Sequence, residues 1–216
     1  MTSITDDILT WSEKYLEPKN EHLGNVPVCP YARMARLQKT YRILECHNFA
    51  NFQDTIIEGA KLAKDPDIQI VIVGCDDIGY TPEELDSVID VLNRVMVPND
   101  IYLMCSHPYD EDEEEEVEFL DTDGWVPENE FMMVLIQKFD ELEKASDNLR
   151  KTGYYSHWPS DYYEGTVLKR QSIGDIEMAK TFMINKKITS NKKRKCERVR
   201  QFDALKEESK RAGLET

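Results

Sequence analysis

An α/β fold, with a small, three- to four-stranded, mainly parallel sheet and helices packed on it, is predicted by three observations. Residues 41–47, 68–77 and 101–108 are short runs rich in Val, Ile and Tyr, bounded by Pro, Gly, Asn or Asp, as strands are. Segments of helical period separate them, and strand, helix, strand, helix, strand is the order of parallel crossovers. All three runs end alike, in Cys46-His47, Cys75-Asp76-Asp77 and Cys105-Ser106-His107-Pro108. A parallel arrangement therefore brings cysteines, histidines and aspartates to one edge of the sheet.

Taken in order, the chain opens with a helix capped by Ser3 or Thr5, with Asp6 and Asp7 in the first turn where the helix dipole favours them. Ile8, Trp11 and Tyr15 form its apolar face, Pro18 stops it, and residues 19–28 read as a polar connector. A second helix is expected at Cys29-Pro30, with Cys29 as N-cap and Pro30 at the first helical position, where a missing N–H costs nothing. After the first strand, Phe52, Ile56, Ile57, Ala60 and Ala63 recur at helical spacing until Asp65-Pro66-Asp67 breaks the pattern. Thr81-Pro82-Glu83-Glu84 predicts a capping box opening a helix whose apolar face is Leu85, Val88, Ile89, Leu92 and Val95.

Residues 109–130 form an acidic insert, whose like charges repel one another. The apolar run 131–136 suits a buried strand or a helix, and a strand followed by a helix to Gly153 is the preferred reading. On this basis the α/β domain spans residues 1–150. An aromatic-rich extension, 151–185, is expected to pack on it through the Tyr154 to Tyr163 cluster, and 186–216 is expected to be a basic, partly helical tail.

Composition narrows the classes of function. The 216-residue chain has a formal charge of −15, which disfavours attraction of the chain as a whole to nucleic acid or anionic membrane. One segment departs from this: residues 186–211 hold eleven Lys or Arg against four acids, a local +7. No secretory signal pattern and no apolar run near the ~20 residues of a membrane span is present, so a cytoplasmic location is expected. Five widely spaced cysteines without a CxxC argue against a disulfide framework or a zinc ribbon and fit reduced thiols. Gly74-Cys75-Asp76-Asp77-Ile78-Gly79 lacks both GxGxxG spacing and a GK[ST] end, so nucleotide-loop chemistry is disfavoured.

Three sets of residues are candidates for a site. Cys46, His47, Cys75, Asp76 and Cys105 lie at strand ends, where open parallel sheets place their sites. Thiolate and imidazole there suit zinc, copper or iron, or an activated thiol, while packing cysteines are the plainer alternative. Cys29, at a helix N-terminus with Arg33 and Arg36 close behind, has the setting that lowers a thiol pKa, and His107 or His47 is its candidate base. A third set, Lys192, Lys193, Arg194, Lys195, Arg198 and Arg200, suits contact with phosphates.

Cys29-Pro30-Tyr31-Ala32 resembles the glutaredoxin motif Cys-Pro-Tyr-Cys with its second cysteine replaced. The polar residues before it and the lack of a Thr-Val-Pro segment depart from that pattern. Over residues 10–150 the chain also resembles a bacterial family of uncharacterised proteins with a tryptophan on the first helix, a Leu-Cys-Pro-Phe-Ala motif and a strand ending in Phe-His-Pro. Trp11, Val28-Cys29-Pro30-Tyr31-Ala32 and Ser106-His107-Pro108 are the matching residues here. That resemblance implies that Cys29 and His107 belong to one site, and it implies no reaction.

Two functions follow from the sequence. One is a thiol-centred protein of redox, transfer or metal chemistry, with no cofactor specified. The other is a non-enzymatic interaction protein that uses its acidic insert and basic tail, contacting a protein or nucleic acid.

Overall fold

In the computed structural model, which describes residues 3–109, 130–177, 179, 180 and 187, the chain divides into two units, Met1–Gly174 and Asp175–Thr216. The first contains a four-stranded sheet. Its strands are β3 (Tyr41–Cys46), β4 (Ile70–Cys75), β5 (Ile101–Ser106) and β6 (Met132–Lys138), in the order β3-β4-β6-β5. A separate ribbon pairs β1 (Lys19–Asn20) with β2 (Val26–Pro27).

β3, β4 and β5 run in one direction, as expected, but β6 runs against them and lies between β4 and β5. The mainly parallel sheet expected from the sequence is therefore a mixed one. The physical reason lies in composition. Met132, Met133, Val134 and Ile136 are buried and point to both faces, which suits an interior position, whereas β5 becomes exposed toward its end. β4 is buried at all six residues and holds the other interior place.

Helices cover both faces. α3 (Phe52–Leu62) and α4 (Pro82–Met96) pack Phe52, Ile56, Ala60, Leu85 and Ile89 onto Cys46, Val71, Val73, Cys75, Leu103, Val134 and Ile136. α1 (Ile4–Trp11) lays Ile4 and Ile8 across Ile70, Ile72 and Met133 on the opposite face. Its approach depends on Gly74, where an added Cβ would collide with the Ile4 side chain. The capping box of Thr81 with Glu84 forms as the sequence indicates, and Ser3, one of the two expected caps of α1, also forms a box with Asp6.

Other expectations change in detail. Residues 19–28 are more than a connector, since Leu23 between the two ribbon strands is fully buried. α2 (Ala32–Leu37) begins past Cys29, whose carbonyl instead accepts the Ala32 N–H in a turn. On α4, Val95 is 63% exposed, and the side chain facing inward in the last turns is Asn93. Its amide donates to Leu103 O at 2.9 Å and its carbonyl accepts from Leu103 N–H at 2.8 Å, closing the outer edge of β5.

After β6, α5 (Phe139–Lys151) leads into the aromatic stretch. Tyr154 and Leu23 form a small core with Val26, Val28, Leu149, Tyr155, Trp158 and Tyr162 around it. α6 (Ser160–Tyr163) continues through a π-helical segment, Glu164–Leu168, and Arg170 pairs with Glu143 at 2.5 Å. The first unit extends to Gly174 and so includes this aromatic stretch. In the second unit residues 175–177, 179, 180 and 187 are helical, and Lys180 bonds Glu177 at 2.7 Å. The acidic insert from 110 to 129 and the tail from 188 lie outside the described residues. No helix among the described residues is long and apolar enough to cross a membrane.

Candidate functional site

The parallel pairing of β3 with β4 puts Cys46 directly beside Cys75 and brings the loops that follow them together. Both cysteines are buried on the face covered by α3 and α4. The Cys46 thiol donates to Asn48 O at 3.1 Å and the Cys75 thiol donates to Asp77 O at 3.4 Å. Burial pushes the Cys75 thiol up to about 12, and neighbouring Cys46 adds to the shift. Both thiols are held as donors inside a core.

Just outside them, His47 sits between two carboxylates. Its Nδ1 donates to Asp76 Oδ2 at 2.8 Å, and its Nε2 lies 3.4 Å from Glu45 Oε2. The Asp76 hydrogen bond, aided by the charges of Asp76 and Glu45, raises the pKa of this exposed imidazole. Glu45 is fixed from the other side by the Thr5 N–H, 2.8 Å away, and hydrogen bonding from the Thr5 side chain and then this N–H lowers its pKa. Asp77 accepts the Phe49 N–H at 2.8 Å, so the loops after β3 and β4 are tied together by side chains of both.

Cys105 does not join this group. With β6 interposed, Cys75 pairs with Met132 and Cys105 with Val134, which separates the cysteines by two strand spacings, ~10 Å. The Cys105 thiol donates to Asp86 Oδ1 at 3.1 Å, and burial followed by that carboxylate raises its pKa.

His107 is 5% exposed and occupied at both nitrogens. Nε2 donates to Tyr80 O at 2.9 Å and Nδ1 accepts the Tyr109 N–H at 3.1 Å, an arrangement that engages both nitrogens and leaves neither for a substrate. Tyr80 is in turn held by Gln53 at 2.7 Å and by an edge-on contact with Phe49. Beside it an open depression is lined by Tyr80, Glu83, Glu84, Ser87 and Val88.

Cys29 lies elsewhere. Its N–H donates to Leu16 O at 3.0 Å, and its sulfur accepts hydrogen bonds from the backbone of Tyr31 and Ala32. Those bonds favour a thiolate, yet burial outweighs them and the pKa is raised, with the Glu17 carboxylate acting in the same direction. The positive field expected from Arg36 is spent on Glu17, at 2.7 and 2.8 Å, and on Glu13, at 2.8 Å.

Cys29 also interacts with Tyr41, the first residue of β3, whereas His107 follows the last residue of β5. A six-residue strand spans ~20 Å, so the two residues lie toward opposite ends of the sheet. The pairing of Cys29 with His107 is not formed, because the Cys-Pro turn packs at the start of the sheet and the His-Pro segment leaves its end.

Among the described residues no group of three or more His, Cys, Asp or Glu is placed to hold a metal ion. Lys192, Lys193, Arg194, Lys195, Arg198 and Arg200 lie outside the described residues. Sequence reasoning missed Glu45 and Asn93, whose partners come from distant parts of the chain. The one available signal was an acidic or amide residue inside an otherwise apolar pattern. No protein-family model, curated protein or solved structure matches the chain.

Proposed function

We propose that this is a non-enzymatic binding protein, in which the folded unit is a platform and the basic segment from Lys186 to Arg211 contacts a polyanion, single-stranded nucleic acid being the class that its charge fits. The observation that carries this reading is the state of the reactive groups. Cys46, Cys75 and Cys105 each donate a hydrogen bond from the thiol, and His107 has both nitrogens engaged. What the sequence leaves available is segregated charge, +7 within residues 186–211 of a chain of −15.

The test is fluorescence anisotropy of a labelled single-stranded oligonucleotide titrated with the full chain over a range of salt. Binding should fall with salt. The variant Lys192→Gln, Lys193→Gln, Arg194→Gln, Lys195→Gln should reduce the log–log slope by up to roughly 3, at about 0.7 for each phosphate no longer neutralised. Absence of binding at low salt, or a slope unaffected by the four substitutions, contradicts the proposal.

A second reading is favoured by one observation, the exposed His47 held by Asp76 and Glu45. A carboxylate-oriented imidazole at the C-terminal ends of β3 and β4 is equipped for proton transfer. A protein acting this way would lose activity on His47→Gln while keeping its fold and its salt-dependent binding.

A further inference from the structure

The two edges of the sheet differ in how their outward backbone groups are met. On β5, Asn93 satisfies both groups of Leu103. On β3, Thr40 O accepts the Ile70 N–H and Cys46 O accepts the Asp76 N–H, which fixes the alternation: even-numbered residues turn their backbone toward β4 and odd-numbered ones turn theirs outward. Arg42 donates to Tyr41 O at 2.8 Å and closes that carbonyl. The N–H and C=O groups of Ile43 and Glu45 have no backbone partner among the described residues. Such outward groups are a template for another strand.

We propose that β3 pairs antiparallel with β3 of a second copy of this chain, about a twofold axis at Leu44. In that register Ile43 lies opposite Glu45 of the second copy, and Glu45 opposite its Ile43. A hydrogen-bonded antiparallel pair exchanges both N–H···O bonds, so two such pairs use all four free groups of each strand. The axis stands perpendicular to the sheet and the contact is isologous, the ordinary form of a homodimer. It joins two four-stranded sheets into one of eight strands.

Charge selects a second copy and an antiparallel sense. Lys39 and Arg42 stand at the start of β3, while at its end the carboxylates of Glu45 and Asp76 flank the single imidazole of His47, two acids to one base. Antiparallel self-pairing brings the basic end of each strand to the acidic end of the other, twice over, whereas parallel pairing sets like beside like. Leu44, partly buried against the core, meets its own copy on the axis, an apolar pair that needs no polar partner. Arg42 marks the limit of pairing, because the Tyr41 carbonyl next to it is already taken.

Amide hydrogen exchange of the full chain at several concentrations, run beside sedimentation, tests this without mutation. The Ile43 and Glu45 amides should slow about threefold for each tenfold rise in concentration once dimer dominates, since exchange then passes through the dissociated chain. Arg42 and Leu44, whose amides point to β4, should be protected at every concentration. Ile43→Pro removes an outward N–H, a change that edge strands tolerate, and should sediment as monomer with its melting transition retained. A wild-type chain that is monomeric throughout, exchange at Ile43 and Glu45 that is independent of concentration, or a dimer that survives Ile43→Pro overturns the proposal. If the proline variant does not fold, the exchange data on the wild-type chain decide it alone.

Discussion

Single residues set both the stability and the charge state of the sheet ends. Asn93 replaces a missing neighbour strand, giving Leu103 both a donor and an acceptor. Asn93→Ala leaves two buried backbone groups without partners, at about 1–3 kcal/mol each, so a loss of roughly 2–6 kcal/mol is expected in urea unfolding. His47 makes a different kind of prediction. Its folded-state pKa is raised above 6.5, so its interaction with Asp76 and Glu45 stabilises the fold fully below that pH and is lost as pH rises through the folded value. In an NMR titration Asp76→Asn should lower the His47 pKa, and the stability difference between the two proteins should shrink as the solution becomes alkaline. A His47 titration unchanged by Asp76→Asn would show that the 2.8 Å contact does not govern the ring.

At the level of elements, close approach and capping decide which segments tolerate change. Gly74→Ala drives a methyl group into Ile4 and should destabilise by roughly 1–3 kcal/mol, because α1 is held to the sheet by the adjoining Ile8, Ile72 and Met133. Thr81→Ala opens the capping box of α4 and should cost about 1 kcal/mol with the fold retained. Thermal or urea melts separate the two. These elements were legible in the sequence because their causes are local: Thr81-Pro82-Glu83-Glu84 carries its own start signal, and Ile70–Cys75 its own strand pattern. The place of β6 was not legible. Its apolar run indicates burial on both faces, but which strands flank it is decided by pairing across the sheet, which periodicity does not encode. The environment of Cys29 escaped for the same reason. Arg36 reads as a free positive charge until α1 and the turn after it deliver Glu13 and Glu17 to its side.

For the whole molecule, the sheet carries its reactive-looking residues without bringing them into one reacting group. Cys46, Cys75 and Cys105 face the core, Cys29 and His107 lie toward opposite ends, and His47 stands open beside its carboxylates. Segregated charge in the sequence and the edge position of β3 are the features on which the two binding proposals rest. The claim that this protein works by binding and not through a thiol is tested most directly by native-state alkylation of each cysteine, followed by mass spectrometry across pH. The account predicts that Cys29, Cys46, Cys75 and Cys105 all react more slowly than in the unfolded chain, with no titration of Cys29, Cys75 or Cys105 below the ~8.5 of a free thiol. Rapid alkylation of Cys29 near neutral pH, governed by a pKa well under that value, would contradict it and restore the thiol as the centre of function.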